Sequence, residues 1–427
     1  MRRRRRASLT APMADVQPFR ALHYDLDAAG GLQALAAPPY DVIDDEQRAE
    51  LVARSPHNVV EIDLPRSDGD PYEHAAEVFA AWQRDGILVR DEHPAIWALA
   101  QDYTGPDGVR RTRHGLFARV GIEDYGPGKV RPHERTHPGP KEDRLRLTRA
   151  TRANLSPIFS LYDDPEGAAW DAVAPHLDGP AWGEVTDEDG TVHRLWRVAD
   201  PAAGATVAQA LRSAELLIAD GHHRYETARV YEQEGGAGHV LMCLVALQDP
   251  GLTVFPTHRL ITGLDQAKRE ALRAAIERDW DVQPIDAAEL EPTGDGPVRM
   301  GYYDAHHKRP LMLTLKDPAI ADAALPGKPE PYRRLDTAVL EALILKGALG
   351  MTEDDISHFN GLDYARSAEQ ARDRVESGAA EAAFFMRGTP VEQVRDVAAA
   401  GESMPPKSTY FFPKVLTGMV FNPLTGS

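Results

Sequence analysis

Between residues 72 and 84 apolar positions recur at helical spacing, and Gly86 stands where such a helix would stop. Residues 95–103 and 109–120 alternate apolar and polar like strands, with Thr104-Gly105-Pro106-Asp107-Gly108 as the turn of a predicted hairpin. Further on, Ala214-Glu215-Leu216-Leu217-Ile218-Ala219 is a short apolar strand that runs into Asp220-Gly221-His222-His223. Residues 224–234 then have helical composition, and 239–247 form a second, strongly apolar strand. Strand, tight turn, helix and strand in that order predict a right-handed crossover unit whose ligand lies beyond the carboxyl ends of the strands. In the last hundred residues Asp336 precedes a predicted helix over 337–349, with Val339, Leu340, Leu343 and Ile344 on one face. Two further helix starts are predicted from capping boxes: Ser367 with Gln370, and Thr389 with Glu392, the latter with Pro390 at the first helical position. Such apolar stripes belong to a core. The fold class predicted is α/β, of the mixed α+β kind, with 13–200, 201–330 and a mostly helical 331–427 as successive regions.

Composition narrows this picture. A chain of 427 residues that is 42% hydrophobic can bury two or three cores. Asp plus Glu number 66 against 48 Lys plus Arg, a formal charge of −18, so no DNA, RNA or membrane partner is expected. A single cysteine, Cys243, allows no intrachain disulfide and no Cys-based zinc cage, which fits a reducing cytoplasm. Residues 1–12 open with Arg2-Arg3-Arg4-Arg5-Arg6 and precede a second methionine, Met13. With no apolar stretch after the arginines, they read as a disordered basic tail or an upstream-start artefact rather than a secretory signal.

The segment richest in candidate chemistry is Asp220-Gly221-His222-His223-Arg224. It opens a helix straight after a strand, so free backbone N–H groups and the positive end of the helix dipole favour an anion there. Gly221 permits close backbone approach, while His222, His223 and Arg224 supply donors for phosphate oxygens. Asp220 would hold an imidazole tautomer or a Mg²⁺ ion shared with the phosphate. The plainer alternative is a capped, exposed helix start.

A second cluster, from Arg131 to Arg144 and on to Arg149, Arg152 and Asn154, packs cations, carboxylates and imidazoles into a Pro/Gly-rich stretch of an otherwise acidic chain. It suggests an anion-binding or lid loop. His133, Glu134, Lys141 and Arg144 are favoured as functional there, whereas Arg146 and Arg149 suit a solvated helix equally well. Gly126-Pro127-Gly128-Lys129 lacks the spacing of a Walker loop. Pro256-Thr257-His258-Arg259 offers another His-Arg step, with a satisfied loop histidine as the alternative. Asp41, in Pro38-Pro39-Tyr40-Asp41, is either a carboxylate for chemistry or a turn former. Lys407, in the constrained loop before an aromatic strand, is a candidate phosphate contact or a surface lysine.

At these motifs the chain resembles the bacterial and archaeal domain of unknown function 1015 family. The resemblance rests on Phe19-Arg20-Ala21-Leu22, Pro38-Pro39-Tyr40-Asp41-Val42-Ile43, Asn58-Val59-Val60, Gly139-Pro140-Lys141-Glu142-Asp143-Arg144, Arg149-Ala150-Thr151-Arg152-Ala153-Asn154, the segment 220–228, Pro256-Thr257-His258-Arg259 and the loop 404–414. These motifs follow one another over nearly the whole chain from Met13, and the arginine tail has no counterpart in the family. The Gly221-His222-His223-Arg224 step also resembles the Gly-x-x-Arg phosphate element of the ParB, sulfiredoxin and free-serine-kinase superfamily. That resemblance implies a ParB/sulfiredoxin-like core with additional N- and C-terminal elements, and phosphate chemistry on serine or O-phosphoserine, in keeping with a place beside serine-biosynthesis enzymes. A glutamate base like that of the serine kinases does not map onto one residue; Glu134, Glu142 and Asp41 are the contenders.

Together these readings lead to the expectation of a phosphotransferase or phosphatase acting on a small phosphorylated metabolite, O-phosphoserine or serine foremost. Mg²⁺ is the expected metal, and ADP or ATP a further cofactor. In this scheme Asp220, His222, His223, Glu142 and Asp41 carry catalysis. Gly221, Arg224, His133, Lys141, Arg144, Arg152, Asn154, His258, Arg259 and Lys407 bind phosphate or substrate. The alternatives are a nucleotide-binding regulatory protein of ParB-like fold without turnover, and a metal hydrolase using His222, His223, His258 and Asp220. Adjacent histidines seldom chelate one ion, which weighs against the hydrolase.

Overall fold

The computed structural model describes residues 14–127, 129–134 and 138–425. The basic tail, Gly128 and the stretch 135–137 of the predicted loop lie outside the described residues. Two compact units are present. The first takes the described residues of 14–132, 138–252 and 413–425; the second takes 253–412 with His133 and Glu134. Both mix helix and strand, as the α+β reading expects.

The first unit is built on a nine-stranded sheet. Its central path runs Val130–Arg131, Leu216–Asp220, Ile158–Tyr162, His239–Ala246, Arg110–Gly121, Ile96–Thr104, Val192–Val198 and Gly183–Thr186, with Val16–Gln17 added on Arg110–Gly121. The hairpin predicted from alternation is present, Ile96–Thr104 pairing antiparallel with Arg110–Gly121. The helix predicted over 72–84 is Pro71–Arg84; Asp70 caps it by accepting from the Tyr72 and Glu73 N–H groups. Central strands read as apolar runs because both their faces are covered: the successive residues Leu216, Leu217 and Ile218, and Met242, Cys243 and Leu244, are all buried.

The crossover expectation is corrected by the pairing. Leu216–Asp220 and His239–Ala246 are not neighbours: Ile158–Tyr162 lies between them, antiparallel to the first and parallel to the second. The two strands flanking the helix His222–Gln233 therefore run antiparallel to each other, and no parallel βαβ unit forms. A strand supplied from some sixty residues upstream in sequence takes the middle position, which local periodicity has no means of signalling.

The second unit has a six-stranded, wholly antiparallel sheet in the order Trp280–Pro284, Leu311–Leu315, Arg299–Asp304, Ala382–Phe385, His258–Ile261, Leu362–Ala365. The aromatic strand is Tyr410–Phe412, paired with Thr253–Phe255. The predicted helix at 337–349 is α-helical over Asp336–Leu340 and continues as a π-helical stretch over Glu341–Ala348. Of the two capping boxes, Ser367 accepts from the Gln370 N–H as expected, but the Gln370 side chain accepts from Arg366 N rather than from the cap itself. The second is corrected: Pro390 is the cap of Val391–Ala399, not its first residue, and the Thr389 hydroxyl donates to the Ser408 carbonyl instead.

Candidate functional site

The strand Leu216–Asp220 ends in a register irregularity against Ile158–Tyr162, between Ile218 and Asp220. Directly after it Gly221 adopts φ 96°, ψ 29°, the left-handed conformation that glycine takes without cost, and becomes the N-cap of His222–Gln233. No side-chain hydrogen bond caps that helix end, which is the positive end of a twelve-residue helix. Tyr225, fully buried, fixes the helix: its hydroxyl donates to the Glu123 carbonyl at 2.8 Å and accepts from the Glu123 N–H at 3.0 Å. The Thr227 hydroxyl adds a bond to the Lys141 carbonyl at 3.3 Å, tying this helix to Pro138–Thr151.

Two cations share the Asp220 carboxylate. Lys414 Nζ donates to Oδ2 at 2.8 Å, and Arg224 Nη2 stands 3.7 Å from Oδ1. Burial works to raise the Asp220 pKa, but Lys414 and Arg224 outweigh it and hold the group well below the usual carboxylate range. Arg224 also donates from Nη1 to the Pro157 carbonyl. A Cβ on Gly221 would come within 3.0–3.1 Å of the Arg224 guanidinium, so the glycine makes room for that arginine as well as for the turn. His222 is buried at 5% exposure and His223 is half-buried.

Around the turn sit parts of the other predicted motifs. Tyr40 is half-buried, its ring 4.0 Å from the Arg144 guanidinium carbon. Burial pushes its phenol up to about 12 against the pull of Arg224 and Arg144, so it is a neutral hydrogen-bond donor at neutral pH. Asp41, next to it, is exposed. Arg144 is buried and fully engaged: Nη1 donates to the Asp63 carbonyl at 2.7 Å and to Asp63 Oδ1 at 3.2 Å, and Nη2 lies 2.7 Å from Asp143 Oδ2. Burial raises the Asp63 pKa, with Arg144 and Arg224 pulling the other way. Asp63, Arg144, Asn154, Ser156, Arg224 and Thr227 line part of a cavity of about 30 Å³, room for a water molecule.

Lys141 is half-buried; Glu142 is exposed, with its carboxylate 3.9 Å from Arg149 Nη1. Arg152 is exposed at φ 50°, ending the helix Pro138–Thr151. Asn154 Oδ1 accepts from the Leu241 N–H at 3.0 Å and from Asn422 Nδ2 at 2.8 Å, a bond set that is internal to the fold.

His133, His258, Arg259 and Lys407 belong to the second unit. His133 is wholly buried, with Nε2 2.9 Å from Thr409 Oγ1. His258 Nδ1 accepts from the Met386 N–H at 3.1 Å, and its Nε2 lies 3.5 Å from Glu291. Arg259 is buried and donates to the Thr257 and Pro406 carbonyls. Lys407 is exposed at φ 56°.

Sequence reading missed Lys414 and Asp63. Lys414 stands 194 positions from Asp220; the loop 404–414 that ends on it was singled out in the sequence for Lys407 instead. Its position is fixed from behind by a buried polar row. Arg113, fully buried, donates to Gln101 Oε1 (2.9 Å from Nε) and to the Pro413 carbonyl (2.6 Å from Nη2); Gln101 Nε2 donates to the Lys414 carbonyl at 3.0 Å. Gln101 Nε2 also lies 3.0 Å from His193 Nδ1, whose Nε2 is 2.9 Å from Asp187. Burial lowers the Arg113 pKa to about 10, which leaves it charged at neutral pH.

No group of three or more His, Cys, Asp or Glu residues able to hold a metal ion occurs among the described residues. With both Asp220 oxygens facing cations, the turn does not fit the expected Mg²⁺. No helix among the described residues is long and apolar enough to cross a membrane.

Solved structures similar to this chain include a conserved hypothetical protein from Pyrococcus furiosus (16% identity, TM-score 0.34, covering 66% of this chain and 87% of that one). A free serine kinase in complex with AMP matches at 15% identity and TM-score 0.35, over 66% of this chain and 83% of the other. SbnI with a C-terminal truncation, from Staphylococcus aureus, matches at 12% identity and TM-score 0.36, over 72% and 87%. At these scores the likenesses carry no argument about ligand or chemistry. No curated protein matches the chain. Residues 16–338 match the family described as protein of unknown function (DUF1015), and the chain belongs to that family.

Proposed function

We propose that the chain is an enzyme that binds a small phosphate monoester at the Asp220–Arg224 turn and transfers or hydrolyses its phosphoryl group, with O-phosphoserine or serine as the small substrate. The observation that carries this reading is the uncapped start of His222–Gln233 at Gly221, flanked by the two cations Arg224 and Lys414 that share one carboxylate. Backbone N–H groups, a guanidinium and a neutral phenol at Tyr40 are the donors that phosphoryl oxygens require. His223, at the second position of the helix, protonates the leaving oxygen. Asp41, beside Tyr40, is the base in this proposal; of the other contenders, Glu142 lies by Arg149 and Glu134 belongs to the second unit. In hydrolysis Asp41 takes a proton from water as its oxygen bonds to phosphorus, the P–O bond to serine breaks, and the serine oxygen receives the His223 proton.

A second reading, a nucleotide-binding protein without turnover, is favoured by Asp220 itself. Its ion pairs with Lys414 and Arg224 suit it to positioning cations rather than to proton transfer.

The test is release of serine and phosphate from O-phosphoserine, with and without AMP or ADP, by wild type and Arg224→Ala. Turnover that falls by about 100-fold or more in the variant, at an unchanged melting midpoint, is the expected result. Saturable ADP binding without turnover establishes the second reading. Turnover that survives in Arg224→Ala contradicts both.

A further inference from the structure

The C-terminal segment brings Lys414 to the turn from 194 positions away in sequence. Three observations bear on what it does there. Lys414 Nζ meets Asp220 Oδ2 at hydrogen-bond length, whereas Arg224 Nη2 stands off from Oδ1 at 3.7 Å, close enough to attract but too far to be bonded. The side chains of Arg224, Asp220 and Lys414 are 11%, 18% and 26% exposed, so the trio is largely dehydrated without being sealed from solvent. The lysine backbone is held by the Arg113–Gln101 row, so its stem rises from a fixed base.

We propose that Lys414 and Arg224 form a two-cation clamp for the phosphate and that Asp220 is its resident counter-ion, displaced when the ligand binds. This rests on the turn being the phosphate site. A carboxylate carries one negative charge; a phosphate monoester carries about −1.5 to −2 at pH 7 and offers three acceptor oxygens. Between two cations in a partly dehydrated place, the more highly charged anion wins the competition, and the carboxylate keeps the clamp neutralised and correctly spaced until it arrives. The consequence is specific to sign: removing a lysine charge weakens phosphate binding, and removing the Asp220 charge strengthens it. An Asp220 that oriented a histidine or held a metal for the ligand would give the opposite sign.

The experiment is calorimetric titration of the full chain with inorganic phosphate and with ADP, for wild type, Lys414→Gln, Lys414→Arg, Asp220→Asn and Arg224→Gln, alongside unliganded melting midpoints. Lys414→Gln should weaken both ligands about tenfold or more, and Lys414→Arg should restore them to within about threefold, a rescue that a merely structural role would not show. Asp220→Asn should bind phosphate about fivefold more tightly despite a lower melting midpoint. Unchanged binding in Lys414→Gln, or weaker phosphate binding in Asp220→Asn, overturns the clamp while leaving the turn as the phosphate site if Arg224→Gln still loses binding. Absence of binding by wild type overturns both. If Lys414→Gln does not fold, the sign of the Asp220→Asn effect decides alone.

Discussion

Arg144 and Arg224 are both arginines of predicted phosphate-binding motifs, and their surroundings assign them different work. Burial opposes the Arg144 charge, but Asp63 and Asp143 more than restore it, and its donors are directed at Asp63 and Asp143. Replacing it with methionine leaves Asp63 buried without its partner. Arg144→Met should therefore cost about 3–5 kcal/mol in urea unfolding while phosphate affinity, measured on the folded fraction, changes less than about threefold. Loss of affinity without loss of stability would place Arg144 in the ligand site after all. Such a difference between two arginines is not visible in a motif. The Gly139-Pro140-Lys141-Glu142-Asp143-Arg144 motif reveals that an arginine is present, but its partner Asp63 is 81 positions away. Asp220, Gly221 and Arg224 were legible because strand, turn and helix start adjoin in sequence; Lys414 was not, because its role depends on a tertiary contact.

At the scale of elements, the helix His222–Gln233 and the hairpin of Ile96–Thr104 with Arg110–Gly121 were readable because each depends on short-range pattern: periodicity, a turn-forming cluster, a glycine at a left-handed position. The order of strands was not readable. Insertion of Ile158–Tyr162 beside Leu216–Asp220 turns an expected parallel crossover into an antiparallel arrangement. The Arg113 row shows the same dependence on distant pairing, since Arg113, Gln101 and His193 lie on three neighbouring strands and meet only when those strands pair in register. Arg113→Met leaves the Gln101 and Pro413 oxygens without their buried donor. It should lower stability by about 2–4 kcal/mol and weaken phosphate binding, because the stem of Lys414 loses its anchor. Chemical denaturation paired with phosphate titration reads both; unchanged phosphate affinity in a folded, destabilised variant would show that the anchor does not govern the lysine.

Across the whole molecule, a formal charge of −18 sets a field that repels anions, so a phosphate site must be local and strongly donating to work. In the proposed site, backbone amides at a helix start and the cations Arg224 and Lys414, each a few ångströms from the Asp220 carboxylate, would meet that need. The same field predicts that a 20-base-pair duplex shows no saturable binding in fluorescence anisotropy at about 0.15 M salt. Saturable binding there would mean that the basic residues present a surface to nucleic acid. Whether the Asp220–Arg224 turn holds a phosphate is tested most directly by titration of O-phosphoserine into the wild-type chain and into Arg224→Ala. Saturable binding by wild type that is absent in an equally folded Arg224→Ala is the result the geometry predicts; equal binding by both proteins, or none by wild type, would contradict it.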